Sequence, residues 1–166
     1  MRLFIGIEPS VMFRSALASL KHSLISAGVS GRYLDVSNFH MTLAYIGEWP
    51  ESVLDLLPDT SQPFMLTLSR FGLFPEANVL YAGVSPNPAL LTLADLVRDR
   101  LSRAGVPFDP KPFTPHFTLI RRPVIPESIS LNAIELPHVS MQVDHLCLYE
   151  SRHLADGMVY TVIVRK

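Results

Sequence analysis

Cysteine is almost missing from this chain: its 166 residues contain one, Cys147, which excludes an intramolecular disulfide framework and a multi-cysteine zinc site. Charge is scarce as well. Only 17% of the residues are charged, and 14 Lys plus Arg against 15 Asp plus Glu leave a net charge of −1 with no run of one sign. That excludes a polyelectrolyte that tracks a long nucleic-acid backbone. It leaves room for a ligand whose one or two phosphates meet a few placed side chains. No apolar run approaches the roughly 18 to 20 residues of a membrane span. The apolar start, MRLFIGIEPS, is cut short by Glu8 after five residues, which is too soon for a signal peptide. There is no Gly-rich phosphate loop, no GxGxxG fingerprint, no His-x-His or His-x-x-x-His pair and no carboxylate-rich cluster, so neither a nucleotide cofactor nor a metal is expected. Gly- or Ser-rich linkers are absent too. With 48% hydrophobic residues the chain is expected to be one soluble, cytoplasmic, monomeric domain over residues 1–166.

Local patterning predicts an α+β fold with strands in the majority, mostly suited to antiparallel pairing. Arg2 to Glu8 reads as a buried strand, and Phe13, Leu17, Leu20 and Leu24 form a helical stripe closed by Gly28. Phe39 to Gly47 reads as a strand, and Glu51 to Leu57 as one or two helical turns. Phe64 to Phe74 and Val79 to Val84 form an antiparallel pair around Pro75-Glu76-Ala77-Asn78. The second half repeats the grammar. Leu90, Leu93, Val97 and Leu101 share one face of a helix opened by Pro86-Asn87-Pro88 and stopped at Gly105. A loop with four prolines then delivers a strand from His116 to Arg121. Val139 to Glu150 and Met158 to Arg165 are the last two predicted strands.

Each half carries the same tetrapeptide form, His40-Met41-Thr42-Leu43 and His116-Phe117-Thr118-Leu119. Side chains two apart in a strand share a face. His40 and Thr42 therefore stand together with Met41 and Leu43 turned to the core, and His116 and Thr118 repeat the arrangement. If the halves are related by a pseudo-twofold axis, the two pairs can face each other across a cleft. Two imidazoles suit phosphodiester hydrolysis: one, neutral, takes a proton from water, and the other, protonated, donates to the departing alkoxide. The threonine hydroxyls can donate to non-bridging phosphate oxygens as charge grows there. Phe39, Tyr45 and Phe113 stand near enough in sequence to stack on a neighbouring base. Of the other histidines, His22, His138 and His153 read as solvent-facing and His145 as packed and hydrogen-bonded. Cys147 reads as buried and structural.

FHMTLAYIGE and PFTPHFTLIR resemble the two signatures of the two-histidine (2H) phosphoesterase superfamily, in particular the LigT-like RNA 2′,3′-cyclic phosphodiesterases (ThpR family). The opening RLFIGIEPS and the late LYES and GMVYTV resemble that family's first strand and its closing strand pair. The resemblance implies a bilobal α+β fold: two pseudo-symmetric antiparallel-sheet lobes with helices outside and a central cleft. It further implies metal-independent, cofactor-free hydrolysis of RNA 2′,3′-cyclic phosphate ends, tRNA fragments among them, to 2′-phosphomonoesters. His40 would be the proton donor and His116 the proton acceptor. The family pattern His-x-Thr-x-x-Arg picks out Arg121, whereas strict strand alternation puts Arg122, and not Arg121, on the face of His116. Arg121 and Arg122 thus both remain candidates for phosphate binding, with a bulge needed to favour the former. Two other readings stay open, a phosphodiesterase of small nucleotides (2′–5′ oligoadenylates or cyclic-phosphate sugars) and a non-catalytic RNA-end binding module.

Overall fold

The computed structural model describes residues 1–60 and 62–166. Among the described residues nine strands and two α-helices follow in the order β1 (Arg2–Ile7), α1 (Val11–Ser26), β2 (Ser30–Tyr33), β3 (Met41–Glu48), β4 (Phe64–Phe74), β5 (Val79–Val84), α2 (Pro88–Arg103), β6 (Phe117–Val124), β7 (Ser140–Val143), β8 (Cys147–Leu154) and β9 (Gly157–Arg165). Short 3-10 turns occupy Val36–Asn38, Glu51–Leu56 and Leu131–Ala133. Every strand pair is antiparallel, and two sheets result, β3-β1-β8-β9 and β2-β6-β5-β4-β7.

The predicted halves are visible in those orders. β3-β1-β8-β9 matches β6-β5-β4-β7 strand for strand, with α1 linking β1 to β3 and α2 linking β5 to β6; β2 is an addition on the β6 edge. Both helices form for the reasons the sequence gives. Ser10 Oγ accepts from the Phe13 N–H and Asn87 Oδ1 from the Leu90 N–H, so each helix starts on a side-chain cap. Gly28 at φ 92° and Gly105 at φ 71° take the left-handed turn that ends it. The buried faces are Phe13, Ala16, Leu17, Leu20 and Leu24 on α1, and Leu90, Leu93, Ala94, Val97 and Leu101 on α2.

Each helix packs on the sheet it does not come from. α1 leaves β1, yet its Phe13 ring meets Phe117 of β6 at 5.2 Å. α2 leaves β5, yet its Arg98 Nε donates to the Leu43 carbonyl of β3 at 3.0 Å. Because the helices are exchanged, one buried cluster joins residues of both sheets, from Leu3 and Ile5 to Leu119, Ile120 and Leu148. The exchange also fixes β3 and β6, the two histidine-bearing segments, relative to one another.

Three segments differ from the sequence expectation. Ser30–Tyr33, where no strand was predicted, is the edge strand β2. The predicted strand from Val139 to Glu150 is two strands in different sheets, broken at Asp144-His145-Leu146 where the chain crosses from β4's side to β1's. β8 then continues through Leu154 into a tight hairpin with β9.

At one point β4 and β5 come unusually close. The Tyr81 ring lies flat across Gly72, where a Cβ would stand only 2.2 Å from Tyr81 Cζ. Gly72→Ala is expected to destabilise the fold by about 1–3 kcal/mol through overpacking. In chemical denaturation the Gly72→Ala/Tyr81→Ala double variant should lose less than the sum of the single variants; additive losses would show that the contact is not the cause.

Candidate active site

The two histidines sit one residue before their strands and not within them, because the ring of each is tied backwards. His40 Nδ1 lies 2.7 Å from the Asn38 carbonyl and His116 Nδ1 lies 2.6 Å from the Thr114 carbonyl. A carbonyl only accepts, so each neutral ring carries its hydrogen on Nδ1 and leaves Nε2 with a free lone pair. Asn38 is itself fixed: its Nδ2 donates to the Met158 carbonyl (2.8 Å) and its Oδ1 accepts from the Tyr160 N–H (3.2 Å), which ties His40 to β9.

Aromatic rings wall both imidazoles. Phe4, Tyr160 and Tyr149 surround His40 at centroid distances of 4.7, 4.8 and 5.6 Å. Phe74 and Tyr81 hold His116 edge-on at 4.9 and 5.4 Å. Burial pushes the His40 pKa down to about 4, against the opposing pull of the Asn38 carbonyl and with help from the nearby charges of His116, Arg121 and Arg14. Burial likewise lowers His116, opposed by the Thr114 carbonyl and assisted by Arg121. Both imidazoles are thus neutral in the free chain at neutral pH.

A cavity of about 740 Å³ brings His40, Thr42, His116, Thr118 and Arg121 together. Met41, Leu43, Phe117 and Leu119 are buried on the other side, as strand alternation requires. The place of Arg121 follows from a bulge. β5 pairs Tyr81 with Thr118 and Leu80 with Ile120, so Leu119 is an extra residue in β6; Leu119 and Ile120 are both buried and the next side chain, Arg121, turns to the cavity. Arg122 is the correction: displaced by the bulge and held at φ 53°, it is exposed and does not line the cavity.

The same bulge exists in β3. Gly6 pairs with Thr42 and Ile5 with Ala44, leaving Leu43 extra and turning Tyr45 to the cavity. Tyr45 is therefore the positional counterpart of Arg121, five residues past its histidine. Of the three aromatics that could stack on a base, Tyr45 and Phe113 line the cavity, whereas Phe39 is 1% exposed and belongs to the core.

Sequence reasoning missed the ring walls, because Phe4, Phe74, Tyr81, Tyr149 and Tyr160 come from five segments that only the sheet register brings to the histidines. It also missed Arg98, which donates to the Leu43 and Lys111 carbonyls and lies over the Phe108 and Phe113 rings at 5.6 and 5.9 Å. Arg98 thereby seats the proline-rich loop against β3. Its position on a helix face, without a motif, gave no signal.

His145 is hydrogen-bonded, as expected, but lies between strands and not within one: half-buried, it has Nδ1 2.6 Å from Asp144 and Nε2 2.8 Å from Glu8. Glu8, His145 and Cys147 place potential metal ligand atoms within 4.8 Å of one another. Their chemistry suits an ion-pair clasp better. Arg165 spans both Glu8 oxygens, and its hydrogen bond, opposed by burial and joined by that of His145, holds Glu8 down at about 2. Burial pushes the Cys147 thiol up to about 12, which keeps it protonated.

The sequence profile of the 2′-5′ RNA ligase superfamily matches residues 14–154, and the chain belongs to that superfamily of two-histidine phosphoesterases. It is similar to the RNA 2′,3′-cyclic phosphodiesterase of Escherichia coli K12, at 37% identity over 82% of this chain and 79% of that protein. The RNA 2′,3′-cyclic phosphodiesterase of Thermotoga maritima is 26% identical over 98% of this chain and 93% of its own length. Among solved structures, E. coli LigT complexed with 3′-AMP superposes with a TM-score of 0.81 at 27% identity, covering 99% of this chain and 96% of that one.

The low histidine values make stability depend on pH with a defined sign. His40 titrates near 6.5 when unfolded and near 4 when folded, so its contribution is complete above pH 6.5 and is lost as pH falls through 4. His145 runs the other way. Burial lowers it, but the hydrogen bonds to Asp144 and Glu8 outweigh that and raise it, so its contribution is lost as pH rises through the folded value. His40→Gln should remove a loss of up to about 3 kcal/mol from the unfolding free energy between pH 6.5 and 4. An unchanged pH slope in urea titrations of the variant would refute the buried neutral state.

Proposed function

We propose that the chain is an RNA 2′,3′-cyclic phosphodiesterase, working by acid–base catalysis between His40 and His116. The observation that carries this reading is the pair of Nδ1-anchored imidazoles that share one cavity with two threonines and an arginine. Membership of the superfamily and the names of the relatives support the same chemistry.

In this scheme the cyclic phosphate lies between the two rings. His116 Nε2 takes a proton from water as its oxygen attacks phosphorus. The P–O3′ bond breaks, and His40 Nε2–H donates a proton to the leaving O3′. The products are a 3′-hydroxyl and a 2′-phosphomonoester, and one water is consumed. The near-symmetry of the two sites leaves donor and acceptor interchangeable on geometry, and the assignment follows the family motifs. Thr42 and Thr118 donate hydrogen bonds to the non-bridging oxygens, and Arg121 offsets the charge that builds on them. The two imidazoles supply both proton transfers, so the scheme calls on no metal ion. On this reading the substrates are cytoplasmic RNA 3′ ends, tRNA fragments among them, and the chain acts as a monomer. No helix of the described residues is long and apolar enough to cross a membrane.

Binding has an electrostatic consequence. Both imidazoles are neutral in the free protein, and one must be charged to act as the acid. The phosphate anion, seated between them, raises the value of each.

The reading is tested by incubating the protein in excess EDTA with a short RNA ending in a 2′,3′-cyclic phosphate. The expected product is heavier by one water and carries a phosphatase-sensitive 2′-phosphate. His40→Ala and His116→Ala should each lower turnover by about 10²- to 10⁴-fold. A folded His40→Ala protein with near-full activity, or a product bearing a 3′-phosphate, would overturn it.

The pH dependence gives an independent check. With one His near 4 and the other below 6.5, kcat/KM should follow a bell with its optimum below pH 6.5, because that parameter reports the free protein. The limbs of kcat should lie at higher pH, shifted by the bound phosphate. A kcat/KM optimum above pH 7.5 would contradict the buried, neutral pair.

A further inference from the structure

Past His40 the cleft continues into a second chamber of about 240 Å³. It shares His40, Thr42, Tyr45 and Arg121 with the larger cavity and adds a cation of its own, Arg2. Along β1, Leu3 and Ile5 are buried in the core while Arg2 and Phe4 take the opposite face. Phe4 packs against His40 at 4.7 Å, so Arg2 stands one two-residue step further out, roughly 6.5–7 Å along the strand. That step is of the same order as the separation of neighbouring phosphates in a nucleotide chain.

Two of the other cations near the cleft are engaged, and the third, Arg121, is assigned to the reacting phosphate. Arg98 holds two carbonyls, Lys111 lies 3.9 Å from Asp109, and Arg121 stands on the wall common to both chambers. Arg2 pairs with no carboxylate among the described residues.

We propose that the small chamber is a second anion subsite, in which Arg2 binds the phosphate on the 5′ side of the terminal nucleotide. The inference rests on the cyclic phosphodiesterase reading and deepens it: it says how an RNA end is told from a mononucleoside cyclic phosphate. His116 lines only the larger cavity, so a reacting phosphate within reach of both histidines lies there, beside the wall of His40, Thr42 and Arg121 that the chambers share. The terminal nucleoside then takes the larger cavity, where Tyr45 and Phe113 offer aromatic faces. The rings that the small chamber adds to the shared Tyr45, namely Phe4 and Tyr160, are already turned against His40. What the chamber does offer is a guanidinium that pairs with no carboxylate among the described residues, which suits a phosphate.

The test compares adenosine 2′,3′-cyclic phosphate with the same compound carrying a 5′-phosphate, in the wild type, Arg2→Ala and Arg2→Lys. The wild type should prefer the 5′-phosphorylated compound in kcat/KM. Arg2→Ala should reduce that ratio on the order of tenfold, towards one, and Arg2→Lys should keep part of it. Added salt should erode the ratio in the wild type and leave it unchanged in Arg2→Ala. A wild-type ratio near one, or an Arg2→Ala ratio equal to the wild type's with the protein folded, would overturn the subsite while leaving the phosphodiesterase reading intact. Failure of the wild type to hydrolyse either compound or a cyclic-phosphate RNA end would overturn both.

Discussion

The bond from each histidine's Nδ1 to the carbonyl two residues upstream is the constraint on which the site depends. It selects the tautomer, sets the ring plane and leaves one basic nitrogen for the cleft. It also accounts for the start of the strands. Asn38 and Thr114 spend their carbonyls on the imidazoles, and pairing in β3 and β6 begins only at Met41 and Phe117. The ring walls then act as a second restraint, since Phe4 and Tyr160 pack on one imidazole and Phe74 and Tyr81 on the other. Burial that rigid carries a chemical consequence: it holds both rings neutral until an anion arrives.

The exchanged helices make this local rigidity useful. Two lobes with separate cores would move against one another, as domain interfaces of modest size allow. Here α1 from the first sheet fills the core of the second, and α2 does the reverse, so the spacing of His40 and His116 is set by one packed interior. Arg98 extends that coupling to the surface. It binds β3 and the proline-rich loop together, and the loop in turn supplies the Thr114 carbonyl. The clasp of Glu8, His145 and Arg165 does a similar task at the other end, joining the end of β1, the β7–β8 crossing and β9, the strand that carries Tyr160.

Much of this was legible in the sequence because it is local. The helix stripes, the β4–β5 hairpin and the inward Met41, Leu43, Phe117 and Leu119 follow from periodicity and turn residues alone. The motif residues themselves were identifiable because each half repeats them. What escaped was non-local. β2 is short and exposed, with Ser30, Gly31 and Arg32 carrying no apolar alternation, and it exists only because β6 offers an edge. The break at Asp144 to Leu146 looks like a continuous strand, because Val143 and Cys147 keep the apolar pattern while the chain changes sheets. Phe39 could not be told apart from Tyr45 and Phe113 for a related reason: next to a histidine whose ring faces the cleft, it turns inward to the core.

Arg121 shows why a motif and a period can disagree without either being wrong. Strand alternation holds from His116 to Thr118, and a single extra residue, Leu119, then changes the phase so that Leu119 and Ile120 are both buried. The same bulge at Leu43 turns Tyr45 inward, so the two lobes place different chemistry at equivalent points, a cation after one histidine and an aromatic ring after the other. A twofold-symmetric cleft could not orient an asymmetric ligand. A phosphate has no sidedness for the two His–Thr pairs to read, but a nucleotide has, with an anionic reacting centre at one end and a planar base at the other. The divergence of Tyr45 from Arg121, at positions that are otherwise superposable in role, is the point at which the symmetry of the fold is broken and a direction is imposed on what binds.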